Sequence, residues 1–348
     1  MKERDYSVDV ARGIACLLVV IGHVIKDNND LIPKFLHTWI YSFHMPLFFV
    51  ISGYVMKKND SFFDFIKKRA KRLLYPYLAL SFVVYVIDVL MQIVIGVLTG
   101  KELDLHKLIA NFIGIFIGFR CTDYSYIMWF VLASFNGMTL AYVVIKAVHN
   151  EFILLGIAFV FVIINYVLWQ YIGGLPYSVD AAFVTSAFII LGSLDLFRKL
   201  INVLFSKKYL ALSLSLIASI SMSLYASNIH GDVELWGCYM GNPIMFIFEA
   251  LFGTIFVFMI SKMLGRNKAF EKLSSWSLIF YAFQTQLVIP ITNRMSSIVF
   301  RKMSFGKDIR SFEWLVTFIL TMGVLVIISS FIDRYASFLL KPVSIKHK

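Results

Sequence analysis

Asp9, Arg12 and His23 stand within one apolar run, VDVARGIACLLVVIGHVI. Ionisable side chains inside a lipid-embedded segment are costly, and they face a cavity, water or a partner. Arg12 and His23 are eleven positions apart, so a helix sets both on one face, about 16 Å apart along its axis. Asp9 precedes Arg12 by three positions and can pair with it. A neutral imidazole can take a proton from a hydroxyl near physiological pH, which makes His23 a candidate general base. The plainer alternative is a histidine satisfied by interfacial water, with Arg12 as a topology anchor.

Two further groups follow. In YSFHMPLFFVISGYVM, His44 and Ser52 are polar islands in an aromatic stretch, and Gly53 permits close backbone approach. A histidine beside a proline reads more readily as a packing or hydrogen-bonding residue than as a catalyst. In FIKKRAKRLLYPY, Arg69 and Arg72 are spaced i, i+3 on one helical face. Two neighbouring guanidinium groups suit bidentate phosphate recognition. A plain basic cluster against lipid headgroups accounts for the same charges.

The elements that carry these residues must be membrane helices. Of the 348 residues, 59% are apolar and only 16% charged, and mean hydropathy is +0.78. A soluble domain is nearer about 45–50% apolar and about 25% charged. The fold expected is all-α, a polytopic helix bundle in a lipid bilayer. Stretches long enough to cross are 8–25, 38–56, 73–98, 125–147, 152–170, 180–197, 209–227, 243–263, 276–292 and 313–339, ten in all. A shorter apolar stretch, 108–119, reads as interfacial or re-entrant. Pro46 and Pro290 fall inside spans, where freed backbone groups need partners within the protein. No cleavage site follows the first run, so it reads as a retained helix. Residues 1–340 are expected to form a single transmembrane domain, and 341–348 a short cytosolic tail.

Net charge is +12, but the basic residues lie mainly in short loops and no nucleic-acid motif is present, so nucleic acid is not an expected partner. With both termini placed in the cytosol, 23 of the 33 Lys and Arg residues fall inside, as the positive-inside rule requires. The dissenting loop is 293–312, with Arg294, Arg301, Lys302, Lys307 and Arg310 on the outer side. Either a helix is miscounted, or this loop holds an anionic acceptor. Cys121 and Cys238 both fall outside in this topology, so a disulfide is possible, though unpaired thiols are the favoured reading. No metal site is expected.

Taken in order, Asp9-x-x-Arg12-Gly13, His23, FHMPLFFVISGY and Arg69-x-x-Arg72 before Tyr75-Pro76 resemble the membrane-bound acyltransferase-3 family, nearest its fucose 4-O-acetylase-like members. The resemblance continues through GLPYSVDAAFVTSAFIILG with Asp180, YMGNPIMFIFEALFG with Asn242, and SSWSLIFYAFQ. It implies an enzyme of the cell membrane, of the bacterial cytoplasmic type. Such an enzyme moves an acetyl or similar acyl group from cytosolic acyl-CoA, a co-substrate rather than a bound cofactor, to a hydroxyl of a cell-surface or lipid-linked saccharide. By the same analogy Arg12 and His23 are catalytic candidates, with Asp9 in support. Arg69 and Arg72 are candidates for the donor's phosphates, Ser52 and Gly53 shape the donor entrance, and His44, Asp180, Asn242 and Gln284 support the substrate. The chain departs from the family where relatives often carry histidine and this sequence reads FYAFQTQ, with Gln284 and Gln286. An amide cannot exchange protons as imidazole does.

A saccharide or organic-acid transporter would also explain ten helices and intramembrane charges. Transporters commonly show repeated halves, and none is visible here. A glycan polymerase usually has a larger external loop than 99–124. The sequence does not specify oligomeric state.

Overall fold

The computed structural model describes residues 5–26, 30–100, 102–118, 128–302 and 311–341. These form α1 (Tyr6–Ile25), α2 (Leu31–Tyr54), α3 (Phe62–Thr99), α4 (Leu105–Ile117), α5 (Trp129–Ala147), α6 (Glu151–Tyr171) and α7 (Ala182–Ser193). They continue through α8 (Asp195–Ser206), α9 (Lys208–His230), α10 (Pro243–Leu264), α11 (Lys268–Phe283), α12 (Ile289–Lys302) and α13 (Glu313–Tyr335). No sheet occurs among the described residues, and eight helical segments are long and apolar enough to cross a membrane. The protein is an all-α polytopic membrane protein, and helix occupies most of the described residues of each expected span.

The chain falls into two compact units. The first comprises residues 1–62, 136–173 and 180–277. Here α2 is the hub, packing on α1, α7, α9 and α10. That position explains why α2 is not among the eight apolar segments. It carries His37, Thr38, Ser42 and His44, all buried against protein rather than exposed to lipid. The packing is close because glycines permit it. A Cβ on Gly53 would overlap the Ile189 carbonyl oxygen, and one on Gly192 would overlap that of Val50, as small residues allow between membrane helices.

The expected span 180–197 is broken in this unit. Leu194 is extended (φ −74°, ψ 139°) between α7 and α8. Glu151 covers the start of α8, accepting from the Asp195 and Leu196 amides at 2.7 and 2.9 Å. A carboxylate is favourable at the positive end of a helix.

The second unit comprises residues 63–135, 174–179 and 278–348. Helix α3 has 38 residues, about 57 Å at 1.5 Å per residue, roughly twice what a hydrocarbon core needs. Eleven of the sixteen residues of the expected Lys57–Arg72 loop, 62–72, are therefore helix. Polar side chains join α12 to α13: Thr292 to Thr321 at 2.8 Å, Ser296 to Thr317 at 2.8 Å, and Ser297 to Glu313 at 2.5 Å. The expected span 276–292 is longer than read, and it is interrupted. A π turn, Gln284–Val288, leads into Pro290, whose missing N–H and ring cannot continue an ordinary α ladder. The helix then runs to Lys302, so Arg294, Arg301 and Lys302 are helical rather than part of a loop. Lys307 and Arg310 lie outside the described residues. Within the stretch expected at 108–119, residues 108–117 belong to the short helix α4.

Candidate active site

In the first unit, three histidines gather around Tyr41. One turn of α2 brings His37 under Tyr41, their rings stacked at 3.9 Å and 28°. His44, almost one turn further on, has its ring 4.9 Å from that of Tyr41. His23 on α1 meets the same ring edge-on at 6.4 Å. The approach depends on Gly22, where a Cβ would lie 2.9 Å from Tyr41 Cε2. His44 Nδ1 donates to the Ile40 carbonyl at 2.8 Å, the ordinary i, i−4 partner, which settles which nitrogen carries its proton.

The cluster is completed from the loop after α9. Asp232 accepts from His37 Nδ1 at 3.2 Å and from Thr38 Oγ1 at 2.8 Å. Partial burial works to raise the Asp232 carboxyl, but the hydrogen bonds from His37 and Thr38, with the charges of His37 and Lys34, outweigh it and hold the group below its ordinary value. In the same loop, Trp236 lies under the Lys26 ammonium, 4.6 Å from the ring centroid. Glu249 on α10 is 2% exposed, and its Oε2 has no hydrogen-bond partner among the described residues.

His23 and His44 are thus brought together, while the other expected residues are distributed. Asp9 and Arg12 are half-buried and engaged, nearer the start of α1. Ser52 and Gly53 sit at the opposite end of α2 from His37, where Gly53 is accounted for by helix contact. Asp180 is a buried packing acceptor, taking hydrogen bonds from Trp169 Nε1 and Cys238 Sγ, each at 3.1 Å. Cys121 lies outside the described residues. Asn242 caps α10, accepting from the Ile244 and Met245 amides at 3.0 and 3.2 Å, with Pro243 at the first helical position.

In the second unit, Arg69 and Arg72 do share one helical segment. The Arg69 guanidinium lies over Phe65 at 5.0 Å, and Arg72 is exposed. Gln284 opens the π turn. It is 1% exposed, and neither amide atom has a hydrogen-bond partner among the described residues. A buried amide without partners is costly, and π turns recur at functional sites.

Sequence reasoning missed His37, Tyr41, Asp232 and Glu249. The signal for His37 was its seven-residue, two-turn spacing from His44. For Asp232 it was an acidic residue in a loop free of Lys and Arg.

A polytopic helix bundle with a buried histidine cluster fits a membrane acyltransferase. The family model described as an acyltransferase domain, acyltransferase-3, matches residues 5–334. The chain belongs to that family. Nodulation protein NolL of Mesorhizobium japonicum is 32% identical over 159 residues, which cover 43% of this chain and 41% of that protein. The NolL protein of Sinorhizobium fredii is 41% identical over 85 residues, 22% of this chain and 23% of its own length. The chain therefore aligns with less than half the length of these curated relatives. No solved structure is significantly similar.

Proposed function

We propose that the protein is an O-acyltransferase of the cell membrane. It transfers an acetyl or similar acyl group from acyl-CoA to a hydroxyl of a cell-surface or lipid-linked saccharide. The observation that carries this reading is His23, half-buried in a cluster with Tyr41, His37 and His44, inside an acyltransferase-3 chain.

In the proposed reaction, His23 takes the proton of the acceptor hydroxyl as its oxygen attacks the thioester carbonyl. The carbon–sulfur bond breaks, CoA leaves as its thiolate, and the imidazolium returns its proton to that thiolate or to water. Arg69 and Arg72 hold the donor's phosphates, Arg69 with its planar group already steadied by Phe65. Arg12 with Asp9 supports the donor side, about 16 Å along the helix axis from His23. Gln284, whose buried amide can both donate and accept, supports a substrate. Ser52 serves the donor entrance, and Gly53 lets α2 pack closely on α7 beside it. His44, Asp180 and Asn242 act through the structure they hold in place.

The test in cells is His23→Ala at matched protein abundance, with the acetyl content of the surface glycan as readout. Loss of acetylation supports the reading, and unchanged acetylation removes His23 from the mechanism.

A further inference from the structure

His37 is 7% exposed, yet its Nε2 has no hydrogen-bond partner among the described residues. Its Nδ1 is committed to Asp232 Oδ2 at 3.2 Å. Asp232 is itself fixed by Thr38 Oγ1 on the same helix turn. A carboxylate accepts hydrogen bonds and donates none, so the neutral imidazole carries its proton on Nδ1 and presents a lone pair at Nε2. A buried lone pair without a donor is a cost the fold does not need to bear. A ligand bearing an O–H would satisfy it. Glu249 Oε2 on α10 is a second buried polar atom with no hydrogen-bond partner among the described residues. Two buried polar atoms without partners are complementary to a ligand rich in hydroxyls, which both donate and accept. His37 and His23 touch the same Tyr41 ring, so a hydroxyl held at one imidazole keeps its neighbours near the other.

We propose that His37, backed by Asp232, is an acceptor-binding residue whose Nε2 accepts a hydrogen bond from a pyranose hydroxyl next to the one that reacts at His23. This rests on the saccharide acceptor proposed above and extends it to a named subsite. His37 positions the sugar and takes no part in breaking the thioester. Asp232 acts through His37 and is a positioning residue.

The experiment titrates the full-length protein in nanodiscs with methyl glycosides of fucose, glucose and galactose, followed by saturation-transfer NMR, and separately with acetyl-CoA. Wild type is expected to bind at least one glycoside. His37→Ala and Asp232→Asn are expected to weaken that binding about tenfold, the loss of one charge-backed hydrogen bond. Acetyl-CoA affinity stays within about twofold, a change under half a kcal/mol. Asp232→Asn is nearly isosteric and keeps the test decisive if His37→Ala does not fold. Unchanged glycoside affinity in both variants overturns the subsite, as does absence of glycoside binding in wild type. If His23→Ala still transfers acetyl groups, the catalytic reading fails instead, whatever the glycoside titration gives.

Discussion

Gly53 of α2 stands directly against the backbone carbonyl of Ile189 on α7, with no room for a side-chain carbon between them. Gly192 makes the reciprocal contact with Val50 one turn away. Gly53→Ala is therefore expected to lower the melting temperature in detergent by forcing α2 and α7 apart, at a cost of about 1–3 kcal/mol. The Michaelis constant for acyl-CoA in the protein that still folds is expected to stay unchanged. An altered constant at unaltered stability would return Gly53 to the donor entrance as a direct contact.

Arg69 and Arg72 are one helical turn apart on α3, outside the part of a 38-residue helix that a bilayer core can hold. Changing both to Lys keeps the charge that sets topology and removes the planar fork. The expected result is correct insertion, unchanged yield and a Michaelis constant for acyl-CoA raised about tenfold, the loss of roughly one bidentate phosphate contact. Normal kinetics in that variant would leave the pair as a topology signal alone.

The sequence made most of the bundle legible, because apolar runs of crossing length mark helices whatever their neighbours. It was less informative where tertiary context decides. The break at Leu194 depends on Glu151, 43 positions earlier, whose carboxylate covers the amides that start α8. The π turn at Gln284 reflects how the chain accommodates Pro290 locally. In the site, His23 and His44 were readable as ionisable groups in apolar segments. His37 had only its spacing from His44 to mark it, because its partner Asp232 is 195 positions away. The hydrogen bonds of Asn242 and Asp180 come from context too: the first caps α10, and the second accepts from Trp169.

Gln284 offers a test in which stability and activity move in opposite directions. Its buried amide has no hydrogen-bond partner among the described residues, a burden of about 1–3 kcal/mol. Gln284→Leu is expected to raise the melting temperature and to lower acyl transfer, both measured on the same preparation. Unchanged transfer would make the residue a packing group only.

Asp232 links the cluster to pH. Its carboxyl is held below the ordinary value, so its hydrogen bonds to His37 and Thr38 contribute stability that is fully present above the unfolded carboxylate range, about pH 4. That contribution fades as pH falls through the lower folded value. Melting curves in detergent are expected to show an acid-side loss in wild type that is smaller in Asp232→Asn. Parallel acid profiles for the two proteins would contradict the assignment.

The most direct measurement incubates the purified protein in nanodiscs with acetyl-CoA labelled in the acetyl group and a methyl glycoside, and follows label into the sugar ester. The account predicts transfer by wild type, release of one free CoA thiol per ester formed, and loss of both in His23→Ala at equal folded protein. Label entering the sugar at the wild-type rate in His23→Ala would contradict it, and so would a wild-type protein that leaves the thioester intact.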